Sequence, residues 1–149
     1  MTQIIYDDVS AMRPEYIQDK GDCTEVIYES GETYTAEKNI DSIKNSMAHY
    51  YCVDLKAIRK NYGEMLPIKN HIPILLSDKH ILVAFKARKP YNKRDGAYGY
   101  VNLYSFSHVE EGETNYIVLG NGTKLELHQK PESFMNRILL AKMLINKRR

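Results

Sequence analysis

Along the first 40 residues, apolar and β-prone residues come in short runs, Gln3 to Tyr6, Thr24 to Tyr28 and Thr33 to Ala36, divided by turn formers at Asp22 and Ser30-Gly31. Runs of that length with turn residues between them predict strands of a small antiparallel sheet. From Ile43 the period lengthens: Ile43, Met47, Tyr51, Leu55, Ile58 and Tyr62 recur at steps of four, four, four, three and four. That is one face of a helix. Asp41 or Ser42 serves as its N-cap and Gly63 as its stop, and a break near Ala48 to Tyr51 favours a shorter helix over about residues 52–62.

Further on, the runs at 72–76 (IPILL) and 80–86 (HILVAFK) are divided by Ser77-Asp78-Lys79, the pattern of two core strands joined by a tight turn. Residues 98–106 (YGYVNLYSF) alternate as a half-buried strand does. Asn115 to Leu119 and Thr123 to Leu127 flank Gly120-Asn121-Gly122, which predicts a hairpin closed by a type I′ turn at Asn-Gly. After Pro131, residues 133–146 form a last helix, Pro being tolerated in a first turn whose N–H groups lack helical partners. The sum is an α+β domain, mainly antiparallel sheet, with one mid-chain helix and one C-terminal helix. A length of 149 residues without a Pro-, Gly- or Ser-rich divider makes residues 1–149 one domain.

Charge changes the picture more than composition does. The net charge is only +2, yet residues 1–41 hold ten acids against three bases, whereas residues 42–149 hold 18 bases against nine acids. Such asymmetry points to a polyanionic partner for the basic part. The bases cluster. Lys86, Arg88, Lys89, Lys93 and Arg94 stand with Tyr91 in nine acid-free residues between two predicted strands, at what would be a hairpin tip. A solvated basic loop explains that run too, but like charges gain nothing from crowding in folding, whereas opposite a phosphate backbone each base releases a condensed counterion. Arg88 and Arg94 suit a narrow groove over A·T pairs, and Tyr91 can pack on sugar or base. A second cluster, Lys56, Arg59 and Lys60, lies on the polar side of the first helix, and a third, Lys147, Arg148 and Arg149, follows the last, where it also complements the helix dipole.

Catalytic and metal signals are weak. The histidines are dispersed, and His49 with Cys52 offers two ligands where zinc needs three or four. There is no phosphate loop or nucleophile elbow, and Glu110-Glu111 reads as turn acids. A binding module with no cofactor and no metal is expected, not an enzyme. Cys23 and Cys52 are too few for a disulfide framework; with no signal peptide and no apolar run of spanning length, a cytoplasmic protein is expected.

With these elements in place, residues 46–146 resemble the ComK family of bacterial competence transcription factors. The likeness runs through YYCVDLKAIRK, Lys69 with Ile72-Pro73-Ile74, the strand ending VAFKA, the basic loop, YGYV, and GNGTKLELHQKPESFMNRI. The stretch GYVNLYSFSHV with the hairpin and helix is also similar to LytTR-type DNA-binding domains, a β-rich architecture. The resemblance implies an activator of DNA-uptake genes that binds AT-rich double-stranded DNA, chiefly through the minor groove, as a homodimer or higher oligomer on paired half-sites. It also implies contact with the transcription machinery or a proteolytic adaptor. Departures are Phe85-Lys86-Ala87 where Phe-Pro-Thr is common, Tyr98-Gly99-Tyr100 where Cys and Trp are common, and a chain that stops at Arg149 without the tail an adaptor grips. The first alternative is a protein-interaction or regulatory adaptor module whose basic surface meets an acidic partner and not DNA, and the second is an enzyme whose site residues are too scattered to recognise. Phe134, Ile138, Ala141 and Ile145 line one face of the last helix while Leu140, Met143 and Leu144 lie towards the other, which marks these three as the oligomer interface or as a second buried face.

Overall fold

A computed structural model describes residues 4–66, 70–89 and 97–148, of which Lys147 and Arg148 are described by backbone alone. Among these, β1 (Val9–Ile17), β2 (Gly21–Tyr28), β3 (Thr33–Ala36), β4 (Ile74–Ser77), β5 (His80–Lys86) and β6 (Tyr98–Asn102) form an antiparallel sheet in the order β3-β2-β1-β6-β5-β4. β7 (Phe106–Glu110), β8 (Asn115–Leu119) and β9 (Lys124–Leu127) make a second sheet. The helices are α1 (Ile40–Tyr50), α2 (Leu55–Gly63) and α3 (Pro131–Arg148). The α+β class and the dominance of antiparallel sheet are as expected.

Strand side chains alternate between faces, so the large sheet builds a core on each side. Ala11, Ile27, Val83, Phe85 and Val101 point to the small sheet and α3, where Phe134 stands edge-on to Phe85 and to Phe106 at centroid distances of 6.5 and 5.6 Å. Their neighbours Met12, Val26 and Leu82 point to the other side, where Ile40, Ile43 and Met47 of α1 cover them.

Four sequence expectations are corrected. Of the strand expected at Gln3 to Tyr6, Gln3 lies outside the described residues and residues 4–6 are not strand: Tyr6–Asp8 is a 3₁₀ turn, and the first strand is Val9–Ile17, whose Pro14 is tolerated because β6 pairs only with Ala11 and Met12. The single mid-chain helix is two. Asn39, not Asp41 or Ser42, caps α1 by accepting from the Ser42 N–H, and Cys52 stops it in the left-handed region at φ 57°. The Cys52 N–H donates to the His49 carbonyl and Val53 N–H to Ala48, a Schellman stop without glycine; Asp54 then caps α2. Residues 98–106 are two strands in different sheets, because the chain turns at Leu103–Ser105 where the Asn102 side chain accepts from Ile81 and Tyr104 N–H groups. The Asn-Gly hairpin closes through three residues, with Gly122 alone at positive φ and its N–H donating to Leu119: a type I turn with a G1 bulge, not type I′.

His80, 3% exposed, joins three segments, since Tyr51 Oη stands 2.9 Å from its Nδ1 and donates to Asp7 Oδ1 at 2.7 Å. Burial holds the His80 imidazole below its ordinary 6.5, and burial, Arg137 and Lys44 do the same to His71. The unfolded chain therefore takes up these protons first as pH falls, and stability is lost from about pH 6.5 downward, by at most about 1.4 kcal/mol per pH unit for each histidine. We expect a lower urea midpoint at pH 5.5 than at 7.5, with His80→Gln shrinking the difference; a midpoint that does not fall would refute the assignment.

Candidate nucleic-acid interface

None of the residues of α2 is fully buried. Its cap at Asp54, Leu55 and Ile58 on the second core, and Tyr62 on the first hold it to the domain, which leaves Lys56, Arg59 and Lys60 exposed to solvent. The second predicted cluster is therefore a displayed cationic ridge.

Beside it, α1, α2 and the start of β6 border a half-open cavity of about 430 Å³ that Lys44, Arg59 and His71 line together with Tyr98 and Tyr100. The tyrosines are two apart on one strand and so share a face. Lys44 Nζ lies 5.9 Å from the Tyr100 ring centre, and burial raises that hydroxyl above its usual range although Lys44 opposes the shift. The His71 ring stacks on Tyr98 at 3.9 Å and 28°, from a backbone in the left-handed region at φ 58°. Arg137 stands 5.2 Å from the Tyr98 ring centre and donates to the Ala84 carbonyl at 3.1 Å.

The basic run between β5 and β6 springs from the same place. Lys86 pairs with Tyr98 across the sheet and Ala87 N–H donates to Ala97, so the ends of the loop are fixed beside the stack. Lys89 is exposed and Lys86 half-buried. Tyr91, Lys93 and Arg94, and the side chains of Lys147, Arg148 and Arg149, lie outside the described residues. Arg88 differs from the expectation of a groove-facing guanidinium: its side chain is 12% exposed and donates to Asp22 Oδ1 of β2 at 2.6 Å. Asp22 is itself only 21% exposed, which makes the pair a clamp from loop base to β2. Breaking a largely buried pair strands one charge, so Arg88→Ala should cost about 3 kcal/mol. Asp22→Ala should cost about as much, and the double variant less than the sum. Additive losses in urea melts would show that the two side chains act separately.

Of the predicted interface residues on α3, Leu144 is 0% exposed and belongs to this domain's own core, which corrects its place on an outer face; Leu140 is half-buried, and Met143 is exposed with Leu139. Packing on β5 and the small sheet accounts for the apolar side of the helix that carries Phe134, Ile138, Ala141 and Leu144, and leaves Leu139 and Met143 facing outward.

A family model described as ComK protein matches residues 2–148. The chain belongs to the ComK family. It is thus a member of a family of competence transcription factors, as the resemblance implied. No curated protein and no solved structure matches it. No helix among the described residues is long and apolar enough to cross a membrane.

Sequence reasoning found the α2 ridge in this ComK chain but missed Lys44, His71, Tyr98, Tyr100 and Arg137. Tyr98 and Tyr100 were legible as a same-face pair, and Arg137 as a cation set among apolar helix residues. Nothing local marks Lys44 or His71.

Proposed function

We propose that this ComK protein is a sequence-specific DNA-binding activator of genes for DNA uptake, acting in the cytoplasm on AT-rich duplex sites. The observation that carries this function is the joining of the α2 ridge, the cationic and aromatic cavity and the root of the basic loop into one face. Lys56, Arg59 and Lys60 on a helix with an open outer side neutralise phosphates, which positions the protein, while the loop between β5 and β6 reaches into a groove to read sequence. Self-association through the outer side of α3, around Leu139, Leu140 and Met143, sets two such faces at a fixed spacing and matches repeated half-sites.

Binding to a 30-base-pair AT-rich duplex, measured at several salt concentrations, tests this. Phosphate neutralisation requires a linear fall of log affinity with log salt, at about 0.9 per phosphate engaged. A GC-rich duplex of equal length should bind less tightly. Equal affinity for both would remove sequence specificity, and a flat salt response would favour an acidic protein partner for the same face.

A further inference from the structure

The cavity between α1, α2 and β6 is lined by the Lys44 ammonium, whose neighbours are the Asp41 carboxylate and the hydroxyl and ring of Tyr100. The Lys44 side chain is 18% exposed, yet the carboxylate near its ammonium, Asp41 at 3.3 Å, is 75% exposed and one helical turn away. Pairs of that kind contribute little, because water screens the carboxylate, which leaves the ammonium able to take a stronger anionic partner. Arg59 enters the same cavity from α2 with a guanidinium fork that suits phosphate oxygens. His71 lines the cavity as well, stacked on Tyr98 and with its backbone in the left-handed region, and Asn70 lies in the same wall. The remaining wall includes Leu55, Ile58 and Ile72, an apolar surface that a bare inorganic ion would leave unused. About 430 Å³ falls within the range of small-molecule sites.

We propose that this cavity is a nucleotide-phosphate site, in which Lys44 and Arg59 hold the phosphoryl group, His71 donates to it, and the apolar wall takes the attached sugar and base. The phosphate can come from a strand of bound DNA or from a free mononucleotide; the first source deepens the function proposed above and rests on it, the second does not. The groups facing His71 are Lys44 and Asp41 from α1, Arg59 from α2, Tyr98 and Tyr100 from β6 and Arg137 from α3. Burial first, and then Arg137 and Lys44, hold the His71 imidazole below its ordinary range, which favours the neutral ring. An arriving phosphate reverses that balance, so binding draws a proton onto His71 and tightens as pH falls from 7.5 to 6.

The test uses the full chain and follows the His71 ring and cavity amides by NMR while dTMP, thymidine or the AT-rich duplex is added. Saturable shifts with dTMP, a raised His71 pKa, at least tenfold weaker binding of thymidine and at least tenfold loss in Lys44→Met identify a site open to free nucleotide. Shifts with the duplex alone, with weaker duplex binding by Lys44→Met, assign the phosphate to DNA. Should Lys44→Met fail to fold, Arg59→Gln takes its place and the wild-type His71 titration still decides. A duplex that binds without moving His71, together with no response to dTMP, overturns the cavity site and leaves the DNA-binding function standing. A response to dTMP without any duplex binding does the reverse.

Discussion

Gly99→Ala should destabilise the protein by about 3 kcal/mol or more, a large share of the roughly 5–15 kcal/mol that holds a domain folded. Gly99 sits directly across from Phe85 in the β5–β6 pairing, and the Phe85 ring lies over it. A Cβ at this position would stand 2.6 Å from the Met12 carbonyl oxygen and 2.9 Å from Phe85 Cζ. Neither neighbour can yield. The carbonyl belongs to the backbone of β1, and Phe85 is fully buried against Phe134 of α3. Relief must come from parting β1 from β6, the joint that unites the two halves of the large sheet. Urea unfolding at pH 7.5 reads the loss; a cost under about 1 kcal/mol would mean that the strands separate more easily than their packing indicates.

The second large effect concerns DNA. Replacing Lys56, Arg59 and Lys60 together by Ala should weaken duplex binding about 100-fold near physiological salt and reduce the salt slope by about 2.7, the share of three phosphates. The fold should survive, because these side chains are exposed and Ala favours helix. Since phosphate contacts position without specifying, AT-rich and GC-rich duplexes should lose affinity alike. A folded triple variant with unchanged affinity and slope would move the DNA to another face.

The stripe Ile43, Met47, Tyr51, Leu55, Ile58 and Tyr62 shows how far periodicity carries. Its residues do face the protein interior, on the second core as far as Ile58 and on the first at Tyr62. The break within it was legible as well, but not that helix resumes on both sides, because the left-handed stop falls on Cys52, a residue that gives no such signal. The basic clusters divide in a similar way. Lys56, Arg59 and Lys60 were readable as a ridge, since a helix displays its polar side wherever it packs. Arg88 was not, because its partner Asp22 is 66 residues distant and meets it only once β2, β1, β6 and β5 are aligned.

The features readable from the chain without its fold are local: the two-residue alternation of the strands, the Asn-Gly hairpin, the apolar stripes of the helices and the acidic and basic halves. These follow from the fixed geometry of helix and strand, which repeats every few residues and needs no distant partner. Tertiary structure alone decided the place of β1 between β2 and β6, the passage of residues 98–106 from one sheet to the other, and the burial of Leu144. It also decided the meeting of Lys44, Arg59, His71 and Tyr98. Such meetings depend on strand order and register, where a shift of one residue sends every side chain to the opposite face.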